Sequence, residues 1–303
     1  MIIVVCLNPA LDVTHHLDAV DWGGVNRPRA VRARPGGKGL NVARTLHALG
    51  VDVLVLGLAG GITGAGVETA LRERCVPAAF TPVGGETRRT FSVVDDSRVT
   101  AFYEPGPAVS EEEFAGFRRG YEQALDGAAA VVLSGSLPPG LEPATYATLI
   151  QAAGIPAVLD THGEALRLGA AAGAAIVKPN LAELKSLTGH KLATPDEVIA
   201  AAGQLRGAQA VVVTLGPDGL LAATGDGCWR ARATAAVTGN ATGAGDAVAA
   251  ALTHGLVLGR PWDERLRHAA ALGAATAAAP VAGEFRRQDY LGALTAVTVE
   301  EVR

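Results

Sequence analysis

Short apolar runs and stretches with helical spacing of their apolar residues alternate along most of this chain. The runs at 2–7, 51–58 and 129–133 contain almost no polar residue, which predicts strands buried on both faces, as in a parallel sheet. The stretches between the runs have the length and spacing of helices. Repeated strand–helix units predict an α/β fold, a doubly wound and mostly parallel sheet with helices on both faces.

Two stretches break this rhythm. Residues 87–104 alternate between apolar and polar positions on either side of a polar turn at 95–97, which predicts a hairpin. Residues 12–34 mix apolar and charged positions, as in an extended chain with one side exposed to solvent. We expect these two segments to form a small separate sheet, inserted in one domain that spans 1–303.

Composition narrows the class of protein. Of 303 residues, 49% are apolar and 18% are charged, which is typical of a folded globule. A net charge of −4 argues against nucleic acid or an anionic membrane as a partner. Cys6, Cys75 and Cys228 stand far apart, which fits a reducing compartment and not a zinc site. The chain has no signal-like start and no run of membrane-spanning length, so we expect a cytoplasmic protein.

The stretch at 237–250, V-T-G-N-A-T-G-A-G-D-A-V-A-A, combines three features. Gly243-Ala244-Gly245 leaves backbone N–H groups unshielded, and the alanine-rich residues 247–258 predict a helix directly after it. A helix start with bare amides predicts an anion site. The single acid at this junction, Asp246, has two interpretations: it caps the helix, or it takes a proton from a group held beside the anion.

Two further segments carry candidate ligand contacts. The run P-G-G-K-G-L-N at 35–41 places Lys38 and Asn41 at a helix entry, which suits a ligand rich in hydroxyl groups and phosphate. Arg88 and Arg89 begin the predicted hairpin, and adjacent strand residues face opposite sides, so one of them can reach a ligand.

A glycine run at 60–66 lies between a predicted strand and a helix, as in dinucleotide-binding proteins. The spacing fails, because Thr69 stands where the third glycine should be. We predict a plain turn here, with contact to substrate left open.

The polar loops after the predicted strands resemble those of the ribokinase-like family of sugar kinases, the phosphofructokinase B type. The resemblance covers essentially the whole chain, and six motifs in family order carry it: L-N-P-A-L-D at 7–12, P-G-G-K-G-L-N-V-A at 35–43, S-G-S-L-P-P-G at 134–140, V-K-P-N-L-A-E-L at 177–184, T-L-G-P-D-G at 214–219 and T-G-A-G-D-A at 242–247. Within the family, the first two motifs and E-T-R at 86–88 look like the branch that phosphorylates sugar phosphates, namely 1-phosphofructokinase and tagatose-6-phosphate kinase.

The resemblance implies roles for particular residues. Asp246 would be the base, and the amides of Gly243, Ala244 and Gly245 would stabilise the transferred phosphate. The residues implied for the sugar phosphate are Asp12, Gly37, Lys38, Asn41, Arg88 and Ser136. Those implied along ATP are Lys178, Thr214, Gly216 and Gly219. Asn180 and Glu183 would position Mg²⁺ through water. The small sheet would be a lid, which in this family also mediates formation of a homodimer.

The implied reaction is transfer of phosphate from ATP to a hexose phosphate, first of all fructose 1-phosphate to give fructose 1,6-bisphosphate. Tagatose-6-phosphate kinase and a free-sugar kinase are the alternatives within the family, and Arg27 and Arg89 can equally be surface residues. A dinucleotide oxidoreductase is the competing class of enzyme. A sensor of sugar phosphate without catalytic activity is the alternative outside enzymes, and such a protein has no need of an acid at the anion turn.

Overall fold

The computed structural model describes residues 1–95, 98–233, 242–279, 281 and 283–302. The strands are β1 (Ile2–Cys6), β2 (Ala10–His16), β3 (Ala30–Gly36), β4 (Val53–Ala59), β5 (Ala78–Pro82), β6 (Arg88–Val94), β7 (Val99–Tyr103), β8 (Ala130–Ser134), β9 (Ala157–Asp160), β10 (Ile176–Val177), β11 (Ala210–Thr214), β12 (Leu220–Thr224), β13 (Gly227–Ala233) and β14 (Val297–Val302). The helices are α1 (Lys38–Ala48), α2 (Gly61–Glu73), α3 (Glu111–Ala124), α4 (Thr145–Ala153), α5 (Gly163–Ala171), α6 (Leu181–Thr188), α7 (Pro195–Ala202), α8 (Ala244–Val257), α9 (Trp262–Ala278) and α10 (Arg287–Ala296). Two predicted pieces, the turn residues 96–97 and residues 237–241 ahead of the anion turn, lie outside the described residues.

The described residues form a large sheet of ten strands in the order β14-β13-β12-β11-β10-β9-β8-β1-β4-β5. All neighbours from β11 to β5 are parallel, and only β12, β13 and β14 at the other edge run antiparallel. This confirms the predicted α/β class with a mostly parallel sheet.

Helices cover both faces of the large sheet. Helices α1, α2, α8 and α9 contribute to the core on one face, and α3 to α7 contribute to the core on the other. Alternate residues of β1 enter opposite cores: Val4 packs in the first and Val5 in the second. Burial on both faces is the physical reason why the strands read as continuous apolar runs. No described helix combines the length and apolar character that a membrane span requires.

The direction of the strand order reverses between β1 and β8. The chain leaves β1 and returns on one side as β4, while β8, β9, β10 and β11 extend the sheet on the other side. In an open parallel sheet the loops at the carboxyl ends of two such strands diverge and leave a crevice between them. This topology fixes the position of the polar loops that follow β1, β8, β9, β10 and β11.

The second sheet has four strands in the order β3-β2-β6-β7. Strand β2 pairs antiparallel with β3 and parallel with β6, and β6 and β7 form the predicted hairpin. Its two segments leave the large sheet after β1 and after β5, so the two predicted insertions do assemble together. We refer to it as the small sheet.

The prediction of a plain turn at 60–66 was wrong. Gly61 already belongs to α2, and Gly60 is its N-cap residue. The side chain of Glu86 accepts hydrogen bonds from the N–H groups of Ile62 and Thr63, which stabilises this helix start. A Cβ at Gly60 would lie 2.2 Å from the carbonyl oxygen of Val83, so glycine is required here for close backbone approach.

Strands β12 and β13 form an antiparallel hairpin, which does not form the edge of the sheet. Strand β14 pairs outside β13 over the register Cys228↔Val302 to Ala233↔Val297. The sequence analysis also missed β5, a short and partly exposed strand at the opposite edge. Edge strands bury little apolar surface, so their hydrophobic pattern is weak.

Candidate active site

The carboxyl ends of β1, β8, β9, β10 and β11 open into a cavity of about 1590 Å³, which residues of the small sheet border on another side. Nearly all predicted site residues line it: Asp12, Gly37, Lys38, Asn41, Arg88, Ser136, Lys178, Asn180, Thr214, Gly216, Gly219, Gly243, Ala244, Gly245 and Asp246. Glu183 lies behind this lining, where its Oε1 is 3.2 Å from Lys38 Nζ. Arg27 is exposed and is not among the described residues that line the cavity.

Asp246 lies in the first turn of α8, and its carboxylate does not cap the helix. The N-cap residue is Gly243, whose φ of 87° favours glycine, and the cap has no side-chain hydrogen bond. The Asp246 side chain instead accepts a hydrogen bond from Nδ2 of Asn41 on α1, at 2.7 Å. Of the two sequence interpretations, the structure contradicts capping and leaves a buried carboxylate at the cavity wall.

The charge state of Asp246 depends on its surroundings. Burial and, second, the negative charge of Asp160 raise the pKa of Asp246 to about 6, while Asn41, Lys38 and Lys178 act in the opposite direction. A carboxyl group with this pKa is about nine-tenths ionised at pH 7. Asp246 can therefore accept a proton at neutral pH and hold it better than an ordinary aspartate.

The start of α8 supplies positive potential next to Asp246. The backbone of Gly243, Ala244 and Gly245 lines the cavity, and first-turn N–H groups have no partner within their own helix. Lys178 Nζ lies over this turn, since a Cβ at Gly245 would be 3.4 Å from it. An ammonium group, bare amides and a helix dipole thus act on the same part of the cavity, a combination suited to a phosphate group.

A buried ion-pair network crosses the floor of the cavity. Asp160 ends β9 and is fully buried between Lys38 Nζ at 3.1 Å and Lys178 Nζ at 3.2 Å. Although burial acts against ionisation, the two lysines keep the pKa of Asp160 below its ordinary value. Burial likewise acts against the charge of Lys38, but Asp160 and Glu183 raise the pKa of Lys38 above its ordinary value. Asp160 and Lys38 are therefore both charged at neutral pH.

Asn180 and Glu183 form a capping box at the start of α6. Asn180 Oδ1 accepts from the N–H of Glu183, and Glu183 Oε2 accepts from the N–H of Asn180, each at 2.8 Å. This local role uses one oxygen of each side chain. No group of three or more His, Cys, Asp or Glu side chains within the described ranges is placed to bind a metal directly.

On the small sheet, Asp12 points into the cavity from β2. Its Oδ1 accepts a hydrogen bond from the hydroxyl group of Thr90 on β6, at 2.5 Å. Its carboxylate lies over Gly36, where a Cβ would come within 2.0 Å of Asp12 Cγ. Gly36 and Thr90 thus fix the position of the Asp12 carboxylate, which is predicted to bind sugar hydroxyl groups.

Arg88 and Arg89 face opposite sides of β6, as the strand geometry requires. Arg88 lines the cavity and donates to the backbone oxygens of Asn8 at 3.2 Å and Glu104 at 3.4 Å. Arg89 lies over the ring of Phe91, and Glu104 accepts from its backbone N–H and pairs with its guanidinium. Within the described part of the chain, the Arg88 guanidinium donates to backbone carbonyls and pairs with no carboxylate, so its positive charge stays available to an anion in the cavity.

Asn8 connects the two sheets. Its Nδ2 donates to the oxygen of Pro105 at 2.9 Å and to Ser136 Oγ at 3.2 Å, and its carbonyl accepts from Arg88. A Cβ at Gly106 would lie 2.3 Å from Asn8 Oδ1, so the chain leaving β7 packs directly on this side chain. Asn8 thus contacts the junction of the sheets and two predicted substrate-binding residues, Ser136 through its side-chain amide and Arg88 through its backbone carbonyl.

A further part of the cavity is lined by residues that follow β11 and by small residues of α9. Thr214 ends β11, and a 3₁₀ turn at Gly216–Asp218 follows it. A Cβ at Gly219 would lie 2.0 Å from the oxygen of Ala231, so this glycine allows β12 to begin directly after the turn. The small residues of α9 that line this part of the cavity are Ala270, Gly273, Ala274 and Ala277. A groove with this lining suits a flat apolar group such as a purine.

The sequence analysis missed two residues of the site. Asp160 was not among the predicted site residues, although it is a polar residue that closes an apolar run, as at the other loops of the site. Asn8 was read as part of a motif without a role of its own. Both end or follow strands whose carboxyl ends point into the crevice.

The part of the chain that matches known proteins includes all the residues that line the cavity. Residues 7–286 match the family described as pfkB family carbohydrate kinase. A mutant of phosphofructokinase-2 from Escherichia coli is 32% identical, over 97% of this chain and 98% of that chain, with a TM-score of 0.91. A complex of the same enzyme with fructose-6-phosphate is 31% identical over 97% and 98%, with a TM-score of 0.87. A protein called a possible 1-phosphofructokinase from Thermotoga maritima is 27% identical over 100% and 99%, with a TM-score of 0.91.

Proposed function

The chain belongs to the pfkB family of carbohydrate kinases, and from this premise we propose that it transfers the γ-phosphate of ATP to a hydroxyl group of a hexose phosphate. One observation carries the proposal. A buried carboxylate, Asp246, lies in the helix turn that offers bare amides, and both line a cavity with three cationic side chains, Lys38, Arg88 and Lys178. A sugar-phosphate sensor would have no use for an acid in this position.

Asp246 is the base of the proposed reaction. It accepts the proton of the acceptor hydroxyl as that oxygen bonds to the γ-phosphorus, and ADP leaves from the opposite side. A pKa of about 6 supports the role, because the carboxylate is available at neutral pH and is a stronger base than an ordinary aspartate.

The anion turn and Lys178 stabilise the phosphoryl group in transit. The amides of Gly243, Ala244 and Gly245 are fixed by the helix, so they need no rearrangement when charge moves onto the equatorial oxygens. Lys178 Nζ, above Gly245, adds a full positive charge on the same side. Preorganised donors in a site that excludes water are usually the largest contribution to such catalysis.

We assign the phosphate of the acceptor chiefly to Arg88. Lys38 is already paired with Asp160 and Glu183, so its attraction for a further anion is partly neutralised. Among the described residues, Arg88 donates only to backbone oxygens, and its planar guanidinium can bind a phosphate with two parallel hydrogen bonds. Asp12, Gly37, Asn41 and Ser136 would then contact the sugar.

The nucleotide would occupy the other end of the cavity, with Thr214, Gly216 and Gly219 along it. Members of the family use ATP, typically with Mg²⁺. Asn180 and Glu183 fit a hydrated Mg²⁺: both offer oxygen atoms, but two of these accept the capping hydrogen bonds and Glu183 Oε1 faces Lys38. Such a pair suits an ion that keeps its own waters. When bound, Mg²⁺ would neutralise charge on the phosphates of ATP.

We further propose that the small sheet is a lid over the acceptor. It carries Asp12 and Arg88, so closure on a sugar phosphate would exclude water and limit hydrolysis of ATP. The sheet also presents exposed apolar side chains, Val31 and Phe102, each 56% exposed. These support the prediction of a homodimer through the lid.

The role of Arg88 has a matched control in its neighbour. Arg88→Ala should raise the Michaelis constant for a hexose phosphate by about 10- to 100-fold, because a charge-assisted contact with phosphate is lost. The Michaelis constant for ATP should stay within about twofold. Arg89→Ala, which removes an arginine on the opposite side of the strand, should leave both constants unchanged. Steady-state kinetics with each substrate varied in turn measures all three.

The identity of the acceptor is open to a direct test. Fructose 1-phosphate is our first proposal, and fructose 6-phosphate is the second, because it is named as the ligand of the similar Escherichia coli enzyme. A coupled assay for ADP should give the highest kcat/KM with one of these two among a panel that includes tagatose 6-phosphate, free fructose and ribose. Preference for a free sugar would contradict the hexose phosphate. Absence of turnover with the whole panel would contradict the proposed kinase.

A further inference from the structure

Arg44 donates a hydrogen bond to the side-chain amide of Asn41, which in turn donates to the proposed base, Asp246. It lies on α1 three residues after Asn41, on the same side of the helix, and is 8% exposed. Its Nη2 donates to Asn41 Oδ1 at 2.8 Å, and its Nη1 donates to the oxygen of Pro35 at 3.2 Å. Arg44 itself is not among the described residues that line the cavity.

The chemistry of the three groups fixes the orientation of the amide. An arginine side chain has donors and no acceptor, so the atom of Asn41 that faces Arg44 must be the carbonyl oxygen. The NH₂ group then faces Asp246. We propose that Arg44 is a positioning residue that holds the Asn41 amide with its NH₂ group toward Asp246 and its carbonyl away from it. The inference rests on the proposed role of Asp246 as base.

This orientation matters because an amide can stabilise either form of a carboxyl group. With its NH₂ group it donates to the ionised carboxylate, and with its carbonyl it accepts from the protonated acid. When Arg44 occupies the carbonyl, Asn41 can stabilise only the ionised form. The base is then kept ready to accept a proton, although burial and Asp160 favour the acid.

Arg44 stays charged and enclosed. Burial, with the positive charges of Arg34 and Arg74, lowers the pKa of Arg44 to about 10, which still leaves it protonated at neutral pH. A Cβ at Gly283 would lie 3.2 Å from both Arg44 Nη2 and Asn41 Oδ1, so the backbone there closes over the contact. The N–H of Gly283 donates to the oxygen of Thr242, directly before the anion turn.

Other charges near Asp246 are unchanged in the variants that test this inference. Asp160 raises its pKa, Lys38 and Lys178 lower it, and Arg34 interacts with it through space. Because Arg44→Gln also removes the positive charge of Arg44 itself, an Asn41→Leu background is needed to separate the amide contact from the loss of that charge.

The test compares Arg44→Gln with Arg44→Lys. Glutamine can accept as well as donate a hydrogen bond, so it lets the Asn41 amide group rotate by 180°, whereas lysine can only donate. The titration of the Asp246 carboxyl carbon is followed by ¹³C NMR and assigned by its absence from Asp246→Asn. Arg44→Gln should raise the pKa of Asp246 by about one unit, and Arg44→Lys should leave it near the wild-type value.

The same variants have a kinetic readout. With a rise of about one unit from a pKa of about 6, Arg44→Gln should lose about fivefold in kcat at pH 6 and less than about twofold at pH 9. The Michaelis constants should not change. In an Asn41→Leu background, Arg44→Gln should cause no further shift, because the amide through which Arg44 acts is gone.

Two results would overturn the inference: an unshifted Asp246 titration in Arg44→Gln, or equal shifts in the glutamine and lysine variants. If Arg44→Gln does not fold, the wild-type protein provides the test. The NMR signals of the Asn41 NH₂ group should shift with pH at the midpoint of the Asp246 titration. Signals that do not shift there would contradict the inference. The NMR titrations need no turnover. A wild type without kinase activity would therefore refute the proposed function separately from the positioning by Arg44.

Discussion

Asp246→Asn should lower turnover by about three orders of magnitude and change both Michaelis constants by less than about threefold. Asparagine has nearly the same size and can still accept the hydrogen bond from Asn41, so the packing at the start of α8 is retained. It cannot take the proton of the acceptor hydroxyl. The loss should therefore fall on kcat, which a coupled assay at saturating ATP and sugar phosphate measures.

Asp263→Asn is the matched control for this experiment. Asp263 lies in the first turn of α9, so its substitution removes the same favourable interaction with a helix dipole, but Asp263 does not line the cavity. Turnover of the control should equal that of the wild type. Comparable turnover in Asp246→Asn and the control would contradict the assignment of the base, and the anion turn alone would then have to account for catalysis.

Asp160→Asn should reduce the free energy of unfolding by about 3 kcal/mol or more, since it leaves the buried ammonium group of Lys178 without its carboxylate, while the more exposed Lys38 keeps Glu183. Lys178 is only 2% exposed and cannot recover the loss by reaching water. Urea denaturation of the variant measures this change. Asp126→Asn, at an exposed position after α3, should change stability by less than about 0.5 kcal/mol.

Asp160→Asn also has an effect on the pH profile, with a defined sign. The negative charge of Asp160 raises the pKa of Asp246, so its removal should lower that pKa and leave the base ionised in more acidic solution. The acidic limb of the kcat profile should move to lower pH. A limb that moves to higher pH would contradict the effect of Asp160 on the pKa of Asp246. A stability equal to that of the Asp126 control would show that the lysines do not depend on Asp160.

The large sheet could be predicted from the sequence because its central strands are buried on both faces. Runs such as 2–7 and 129–133 are apolar at every position for that reason. Edge strands gave a weaker signal. The start of α2 was missed because its glycines suggested a turn, whereas Glu86, a residue distant in sequence, stabilises the helix there.

The site was predictable where a residue lies in a short motif and unpredictable where it acts through partners from other elements. Asp246 and its glycines are consecutive, so their joint position follows from one helix start. The bridge from Asn41 to Asp246 joins residues that are 205 positions apart, and no local pattern contains it. Lys38 was predicted as a ligand for sugar phosphate, yet its charge is shared by Asp160 on β9 and Glu183 on α6.

Asn8 has a consequence for attempts to redesign this protein. One side chain contacts both the chain leaving β7 and Ser136, while its backbone fixes Arg88. A substitution at Asn8 that admits another sugar will also change the contact between the two sheets about which the proposed lid would move. Selectivity and speed of opening should therefore vary together among engineered variants, and libraries at this position are best screened for both properties at once.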